Sequence, residues 1–423
     1  MAICLIMILV TSNINWGGDR YKGVLESDAK GYYAYLPAIF IYHDLNFTFF
    51  DHIEKEKYYN ENLFYDYRAF SNGAYISKYY AGTALAQMPF FLVAHFVSLA
   101  GNADADGYSK PYMIAVNLAA LFYLFLGLLY LKRTLASYQI SEKITSIILI
   151  AAVFGTNLFY YSISESGMSH VYSFAFISMF FFYARQFFTT FRPKYILLLS
   201  LLLGIIVLIR PVNGLILFIL PFAAGKEEVF REGIVSSLKQ IKYTAAGVIL
   251  IFAIVSLQLI FYKLATGSFF VYSYIGEGFD FLNPHIPEIL FSFKKGLFLY
   301  TPIYLLAFAG CIYLWKKKRF MFRAWILFFL IITYVFSSWS NWWYGGSFSS
   351  RVYIEYIPLF MILLAMALDN IRNRLQHNGL IAAIVILTVV CQIQTFQYRY
   401  NHIHWSDMDR QKYFEVFMRI DRI

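Results

Sequence analysis

The sequence has little charge and little cysteine. Charged residues make up 14% of its 423 positions, hydrophobic residues make up 60%, and the mean hydropathy is +0.56. A soluble domain covered in charged side chains could not reach these values, so the composition predicts a polytopic membrane protein. The three cysteines, Cys4, Cys311 and Cys391, lie inside apolar runs and form no CxxC pattern. They are predicted to be small buried hydrophobes, neither disulfides nor metal ligands.

Nucleotide-binding and hydrolase motifs are also missing. The sequence contains no GxGxxG loop, no GxxxxGKS/T loop, no HExxH and no GxSxG elbow. A nucleotide-binding domain is therefore not expected, which disfavours chemistry on a cytosolic nucleotide sugar. The formal charge of +10 would suggest nucleic acid in a soluble protein. Here most basic residues cluster in short loops, as the positive-inside rule produces, and no nucleic-acid partner is expected.

Long apolar runs are what the sequence does have, and a span needs about 20 residues. The candidate spans are residues 1–16, 111–131, 144–161, 169–188, 195–209, 212–224, 243–264, 296–315, 321–338, 352–368 and 380–396. Basic residues mark every second loop between them, so those loops are predicted to be cytoplasmic. The opposite, outer face then receives residues 162–168, 210–213, 265–295, 339–351 and the C-terminal tail.

Residues 79–100 break this alternation. They are apolar enough to span, but counting them as a span would reverse the predicted sides of the loops. We therefore expect a re-entrant or interface-lying helix, with Gly82 and Pro89 as natural breaks, and a true span is the alternative. The predicted organisation is one integral-membrane domain, residues 1–423. It includes a first outer loop (17–110), a second outer loop (265–295) and an amphipathic tail (397–423), in which Tyr413, Phe414, Phe417 and Ile420 recur at helical spacing.

Polar residues collect at helix ends on the predicted outer face. They are Glu26, Asp28, Glu165, His170, Arg210, Asn213, Lys294, Lys295 and Arg351. Ionisable groups near a bilayer are costly, so each is a functional hypothesis, with interfacial anchoring as the alternative interpretation. Arg210, in "LIRPVNGLI", needs an anionic partner, and a phosphate at headgroup depth fits its planar donor fork.

The segment "SSWSNWWYGGSFSSRVYIEYIP" joins an aromatic cluster to Arg351. Aromatic faces stack on sugar rings, although an interfacial belt is an equal alternative for this segment alone. The histidines of the 402–404 HxH pattern lack a third ligand, so no metal site is predicted there. A carboxylate base and a leaving group stabilised by arginine and lysine together suit a lipid-linked phosphosugar.

These segments resemble the GT-C superfamily of integral-membrane glycosyltransferases. The resemblance rests on a first span followed by "ESDAKGYYAYLPAIF", "KYYAGTALAQMPFFL", "YYSISESGMSHVYSF", "IRPVNG" and "WWYGGSFSSR". The most similar branch contains the protein O-mannosyltransferases and the lipid A aminoarabinose transferases, in bacterial form. The resemblance implies an all-α polytopic transmembrane fold with about 11 spans and with interface helices in the first outer loop.

The resemblance also implies roles for residues. In that superfamily the base is an acid in the first outer loop, at the start of a helix along the membrane. Asp28 matches this position, with Glu26 as a second acid, and the later acidic position falls on Glu165. Family members use polyprenyl-phosphate sugars and bind the phosphate through basic residues, here Arg210, Arg351 and Lys294. The residues expected to bind substrate are Lys30, Tyr33, Glu165, His170, Asn213, Trp342 and Tyr344.

The expected function is therefore inverting sugar transfer from a polyprenyl-phosphate donor to a glycan, lipid or protein acceptor. It would take place at the periplasmic face of a multi-pass protein of the cell inner membrane. Two departures stand out, because Ser27 separates the two acids and no large soluble C-terminal domain follows. No cofactor is assigned, and a divalent metal remains an open alternative. A lipid-linked saccharide flippase or transporter, and a non-catalytic component of envelope polysaccharide assembly, are the alternative functions.

Overall fold

Helices dominate the computed structural model, which describes residues 2–421. The prediction of one domain over 1–423 extends to Met1, Arg422 and Ile423, which lie outside the described residues. The helices of the N-terminal half are α1 (Ala2–Asn15), α2 (Asp28–Tyr33), α3 (Tyr35–Phe40), α4 (Gly82–Ala100), α5 (Lys110–Ser137), α6 (Glu142–Phe154), α7 (Leu158–Ile163), α8 (Ser169–Thr190), α9 (Pro193–Ile209) and α10 (Leu220–Ala224).

The C-terminal half continues the helical pattern. Its helices are α11 (Glu227–Lys239), α12 (Ile241–Thr266), α13 (Ile286–Phe291), α14 (Leu297–Tyr300), α15 (Ile303–Ala307), α16 (Ala309–Lys317), α17 (Arg319–Ser337), α18 (Ile357–Asn370), α19 (Arg374–Arg399) and α20 (Arg410–Val416). Tighter 3₁₀ segments cover Arg20–Gly23, Pro211–Ile219 and Arg351–Tyr356, and a π-helical segment covers Asp51–Lys57.

Seven helices between residues 2 and 421 are long and apolar enough to cross a membrane. They are α4, α5, α8, α12, α17, α18 together with its preceding 3₁₀ segment, and α19. With the apolar composition, they confirm the expected all-α polytopic membrane class. Six of them coincide with predicted spans, and α4 is the segment for which the sequence favours an interface position.

The other predicted spans are shorter or interrupted. The runs 1–16 and 195–209 correspond to the short apolar helices α1 and α9. The run 144–161 is interrupted between α6 and α7, the run 212–224 is largely 3₁₀, and the run 296–315 is divided among α14, α15 and α16. Proline explains much of this, because Pro211, Pro221 and Pro302 lack the amide hydrogen that a continuous helix requires. Periodicity and hydropathy alone therefore overstate the number of full-length spans.

Helix α18 lies at the centre of the bundle. Every residue from Ile357 to Leu368 is buried, and a helix that is apolar on all sides is expected in such a position. It packs against α6, α15 and α16, while α8 packs between α5 and α9. Helix α12 is the opposite case, since only 11% of its most apolar window is buried in the protein, so its surface faces outward. The centre of the bundle thus fixes the 3₁₀ segment that leads into α18, which begins at Arg351.

Helix α4 connects the ends of other helices. Gly82, at its start, packs directly on the backbone of Ile209 at the end of α9. Near its other end, His95 Nδ1 lies 2.6 Å from the hydroxyl of Tyr112 in the first turn of α5. Both partners lie at the same side of the bundle, as expected for a helix lying along the membrane surface. The interface position of 79–100 stays a prediction with this contact pattern in its favour.

The first outer loop is folded, as its many aromatic residues suggest. It contains a hairpin of two antiparallel strands, β1 (Arg68–Ser71) and β2 (Ala74–Ser77), in which Arg68 pairs with Ser77. The connecting residues Asn72 and Gly73 both have positive φ, which is the tight turn that Asn-Gly favours. The segment "GYYAYLPAIF" is helical and forms the end of α2 and all of α3, which are separated by Ala34; its interface position stays a prediction.

The tail folds back towards the second outer loop. Tyr413 is buried and its hydroxyl accepts a hydrogen bond of 2.7 Å from Gln394 on α19. Helix α20 ends at Val416, so the predicted periodic face breaks down, with Phe417 and Ile420 beyond the helix and exposed.

Candidate active site

A cavity of about 530 Å³ lies at the end of the bundle beneath the first and second outer loops. Its lining comes from eight separate parts of the chain: the start of α2, Tyr65, the segment after β2, the start of α8, the end of α9, the second outer loop, residues 339–351, and Trp405 of the tail. The outer-face elements that the sequence predicts to converge therefore meet at one site. The charged and histidine residues of the lining are Asp28, Lys78, His170, Arg210, Glu277 and Arg351.

Asp28 is the first residue of α2 and lines this cavity. Its Oδ2 lies 2.6 Å from Nη2 of Arg351, and its Oδ1 accepts a hydrogen bond of 2.6 Å from the hydroxyl of Tyr79. Burial acts to raise the pKa of Asp28, but the Arg351 charge and the Tyr79 hydrogen bond outweigh it and hold the pKa below its ordinary value. Asp28 is therefore an ionised carboxylate at neutral pH.

Backbone geometry places Asp28 for these contacts. The preceding residue, Ser27, has a φ of 46°, which is costly for a residue with a side chain and turns the chain sharply into α2. A Cβ at Gly31, one turn further, would lie 2.3 Å from the Tyr79 ring. Glycine at this position lets Tyr79 cross α2 closely, so that its hydroxyl reaches Asp28.

Arg351 is buried at the start of the 3₁₀ segment that leads into α18. Its Nη2 is taken by Asp28, while its Nε is enclosed without a hydrogen-bond partner among the described residues. A buried donor without a partner is costly, so the protein itself does not fully satisfy the guanidinium of Arg351. The sequence prediction of Arg351 as an anion-binding residue agrees with this environment.

Arg210 lies where helix α9 stops. It has an extended backbone, and Pro211 follows it, so the helix cannot continue and the arginine turns towards the cavity. Its Nη1 lies 3.0 Å from Oε1 of Glu355, and Nδ1 of His170 lies 3.0 Å from the same oxygen. Glu355 is fully buried and is not part of the cavity lining, so it neutralises Arg210 from within the bundle.

Three charged residues of the site were not singled out from the sequence: Glu355, Lys78 and Glu277. Glu355 is an acid within an apolar span, and this cost alone could have marked it as functional. Lys78 lines the cavity and forms an ion pair with Glu277 of the second outer loop, while its Nζ lies 5.2 Å from the ring centre of Tyr274. The signal for Lys78 was its position immediately before the apolar segment 79–100.

Aromatic side chains form much of the remaining wall. Tyr274, Trp339, Tyr344 and Trp405 line the cavity, and the Tyr274 and Trp339 rings meet edge to face at 5.6 Å. Tyr344 lies where the sequence places it, and its hydroxyl donates a hydrogen bond of 3.0 Å to the Phe336 carbonyl. The cavity wall thus interleaves aromatic and charged side chains, since the Trp339 ring nitrogen also donates a hydrogen bond of 3.2 Å to Glu277.

Several predicted residues lie away from the cavity lining. Lys30 forms an ion pair with Glu54 beside a separate cavity of about 170 Å³ in the first outer loop. Tyr33 is buried and donates a hydrogen bond to the Gly107 carbonyl. Both residues belong to α2. They face the interior of that loop because they lie on the side of the helix opposite Asp28.

Lys294 of the second outer loop and Trp342 of the aromatic segment also lie outside the lining. The Nζ of Lys294 lies 3.9 Å above the ring of Trp343, and the Trp342 ring stacks on His285 at 5.6 Å. Their side chains make these contacts and are not part of the cavity lining.

Asn213 and Glu26 are also outside the cavity lining. Asn213 is buried and lies 3.2 Å from both the Ser173 and Tyr356 hydroxyls, so it supports the wall behind Arg210. Glu26 is exposed and has no side-chain contact with Arg351 or Arg210 among the hydrogen bonds and ion pairs of residues 2–421. Of the two acids of the first outer loop, Asp28 is therefore the one that pairs with an arginine of the cavity.

Glu165 is not part of the cavity lining, although it lies close enough to Arg351 to feel its charge. Its Oε2 is enclosed without a hydrogen-bond partner in the described part of the chain. Burial, opposed by the Arg351 charge, raises the pKa of Glu165 to about 8, so the carboxyl is mostly protonated at neutral pH. Nearby, Lys295 is buried, and burial lowers its pKa to about 7. His170 lines the cavity directly. It also contacts Glu355 within the bundle.

The site is built from arginine, lysine and single carboxylates. Within residues 2–421 no group of three or more His, Cys, Asp or Glu side chains is arranged to hold a metal ion. The charged chemistry that the described chain itself supplies is therefore three cations, Arg351, Arg210 and Lys78, each paired with one carboxylate.

Comparison with known proteins finds similarity at the level of structure alone. No protein-family model matches the sequence, and no curated protein sequence is detectably similar. The crystal structure of ArnT from Cupriavidus metallidurans, bound to undecaprenyl phosphate, superposes with a TM-score of 0.54 at 13% identity. The match covers 95% of this chain and 67% of that one.

An oligosaccharyltransferase from Archaeoglobus fulgidus, in its apo form, superposes with a TM-score of 0.51 at 11% identity. That match covers 99% of this chain and 60% of the larger protein. This chain thus spans about two thirds or less of the length of each of these two structures. Almost its whole length is nevertheless used in both superpositions, so the chain has a GT-C-like fold.

Proposed function

We propose that the protein is a membrane glycosyltransferase that moves a sugar from a polyprenyl-phosphate donor to an acceptor. The observation that carries this proposal is the cavity in which an ionised carboxylate, Asp28, lies beside Arg351, with Arg210 and Lys78 in the same lining. The GT-C-like fold supports it, since one neighbour of similar fold is described as bound to undecaprenyl phosphate. The proposed location is the cell inner membrane, with the site on the periplasmic side.

The phosphate of the donor is assigned to the three cations. Arg210 is held through one nitrogen by Glu355, and its side chain reaches the cavity, while Arg351 has the enclosed Nε without a partner. Charge-assisted bonds from guanidinium groups to phosphate are among the strongest that a protein can offer. Lys78 adds a further positive charge once the phosphate competes with Glu277. Lys294, which packs on Trp343, is not part of this assignment.

The carboxylate of Asp28 is assigned as the base. It takes the proton of an acceptor hydroxyl or amine as that atom bonds to the anomeric carbon of the sugar. The bond from this carbon to the phosphate oxygen breaks at the same time, and polyprenyl phosphate leaves with its charge stabilised by the arginines. Attack from the side opposite the phosphate inverts the anomeric centre.

The aromatic side chains of the cavity wall are assigned to the sugar and the acceptor. Tyr274, Trp339, Tyr344 and Trp405 offer ring faces and few charges, which suits the apolar faces of a sugar ring. The cavity is large enough for a sugar phosphate, because ligand sites commonly measure about 300–1,000 Å³.

A flippase is the less favoured candidate. Transporter sites lie near the bilayer midplane between repeated halves, whereas this cavity lies at one end of the bundle beneath two loops. A non-catalytic lipid-binding component would keep the same phosphate site, so only turnover separates it from an enzyme.

The test combines binding and turnover in purified protein in lipid nanodiscs. Undecaprenyl phosphate is the binding probe, and a panel of undecaprenyl-phosphate sugars with membrane extract as acceptor measures transfer. We expect the probe to raise the melting temperature of the wild-type chain and of Glu26→Gln, and not of Arg210→Ala. Transfer should occur in the wild type and be lost in Asp28→Asn. Binding without transfer by any donor would support the non-catalytic function, and absence of binding would refute the donor assignment.

A further inference from the structure

The second outer loop exposes large apolar side chains. Phe270 is 83% exposed and Leu282 is 91% exposed, and Phe269, Ile275 and Phe291 are each at least half exposed. Single exposed apolar residues need no explanation, but a cluster of this size on one loop marks an interaction surface. A loop lying wholly outside the membrane, as predicted for residues 265–295, would not explain why these side chains are apolar.

The loop lies level with the ends of two outward-facing membrane helices. It starts at the end of α12, where Leu264 is 68% exposed. It is then tied to the end of α17, because the Asp280 amide donates a 2.7 Å hydrogen bond to the Ser338 carbonyl and the His285 amide donates a 2.9 Å bond to the Ser337 carbonyl. The loop cannot rise far above the bundle, since its backbone is fixed at these helix ends.

The apolar surface of the loop is continuous with the lipid-facing surface of the helices. The Tyr334 hydroxyl of α17 donates a 2.7 Å hydrogen bond to the Phe281 carbonyl, and the two rings stack at 5.8 Å. Tyrosine and phenylalanine at such a level are typical of the membrane interface, where rings and apolar chains enter the acyl boundary. The leaflet around α12 and α17 is therefore the occupant that this position favours.

We propose that the second outer loop inserts its exposed side chains, led by Phe270 and Leu282, into the acyl layer of the adjacent leaflet. The same loop supplies Tyr274, Glu277 and Phe279 to the cavity wall. An inserted loop holds the cavity mouth against the lipid, so a lipid-linked substrate enters sideways from the leaflet. This consequence for substrate entry rests on the proposed function, but the insertion itself does not.

Lipid quenching tests the insertion without any assay of activity. Phe270→Cys and Leu282→Cys are labelled with an environment-sensitive fluorophore and placed in liposomes, with Glu61→Cys in the exposed part of the first outer loop as the matched control. The chain without an added cysteine measures background labelling of Cys4, Cys311 and Cys391. Since Phe270 and Leu282 are almost fully exposed, their replacement removes little packing, and melting temperatures verify the fold.

We expect blue-shifted emission at positions 270 and 282, quenched by phospholipids brominated in their acyl chains, and water-like, unquenched emission at position 61. Water-like emission at both loop positions, unaffected by brominated lipid, would overturn the insertion. A blue shift that appears only after addition of membrane extract, without lipid quenching, would assign the surface to a protein partner and overturn it as well. The double variant Phe270→Ser/Leu282→Ser tests the entry route separately. If the loop is inserted but this variant binds undecaprenyl phosphate from the bilayer as well as the wild type does, the entry route is wrong and the insertion stands.

Discussion

Replacement of Asp28 by asparagine separates its proposed role as the base from its role as the anionic partner of Arg351. Asparagine keeps the shape and can still accept the Tyr79 hydrogen bond, but it removes the negative charge opposite Arg351. As a base, Asp28 should be worth about 10²–10⁴ in the rate of transfer. We therefore expect Asp28→Asn to lose at least a hundredfold in turnover in membranes supplied with a polyprenyl-phosphate sugar.

The same substitution should act on stability and on phosphate binding in opposite directions. The 2.6 Å contact with Arg351 is charge-assisted, and the Asp28 side chain retains 20% exposure. A bond of this kind contributes about 1.5–3 kcal/mol, so the free energy of unfolding should fall by about 2 kcal/mol. Arg351 then lacks an anionic partner, and an added phosphate supplies one.

Affinity for undecaprenyl phosphate should accordingly rise about tenfold, which corresponds to about 1.4 kcal/mol of the lost pairing. The assay is thermal unfolding in nanodiscs with and without undecaprenyl phosphate, alongside turnover, with Glu26→Gln as the matched neighbouring change. The variant should melt at a lower temperature without the lipid and show a larger shift with it. Normal turnover would refute the base assignment, and affinity falling in parallel with turnover would show that Asp28 serves only to build the phosphate site.

Two further changes test other residues of the site, and a third tests the predicted orientation of the chain. Glu277→Gln should tighten undecaprenyl phosphate binding in a titration, because it frees Lys78 from its carboxylate; weaker binding would show that the pair shapes the site. Burial keeps Glu165 protonated in the folded protein up to about pH 8, whereas the unfolded chain releases this proton above pH 4.5. The contribution of Glu165 to stability therefore falls as pH rises from about 4.5 to 8. Glu165→Gln should flatten this part of the melting temperature profile, and an unchanged profile would contradict the buried proton. Asn72→Cys, at the hairpin turn, should react with an impermeant maleimide in intact cells, and protection there would reverse the predicted orientation.

The sequence was informative where a residue type alone is costly in a membrane. Arg210, Arg351 and Asp28 could be assigned to one site because charges at helix ends are expensive and the loop alternation placed them on one side. Helix count was harder to predict, because apolar composition does not reveal that Pro302 or Gly155 interrupts a run. Lys294 and Trp342 were placed in the site by their neighbours in sequence, and only the three-dimensional path of the chain shows that they pack on Trp343 and His285 instead.

Each cation of the cavity has its own acidic partner, and the burial of that partner separates three roles. Glu355 is completely buried within the bundle, so it cannot leave Arg210 when a phosphate arrives and keeps that guanidinium in a fixed position. Glu277 is 25% exposed on the second outer loop, and its pairing with Lys78 can be exchanged for a phosphate without burying a free charge. Asp28 lies between these cases, because Arg351 keeps it ionised while its 20% exposure leaves it open to the cavity. Under the proposed function, the fixed pair positions the donor, the exchangeable pair admits it, and the remaining carboxylate takes the proton.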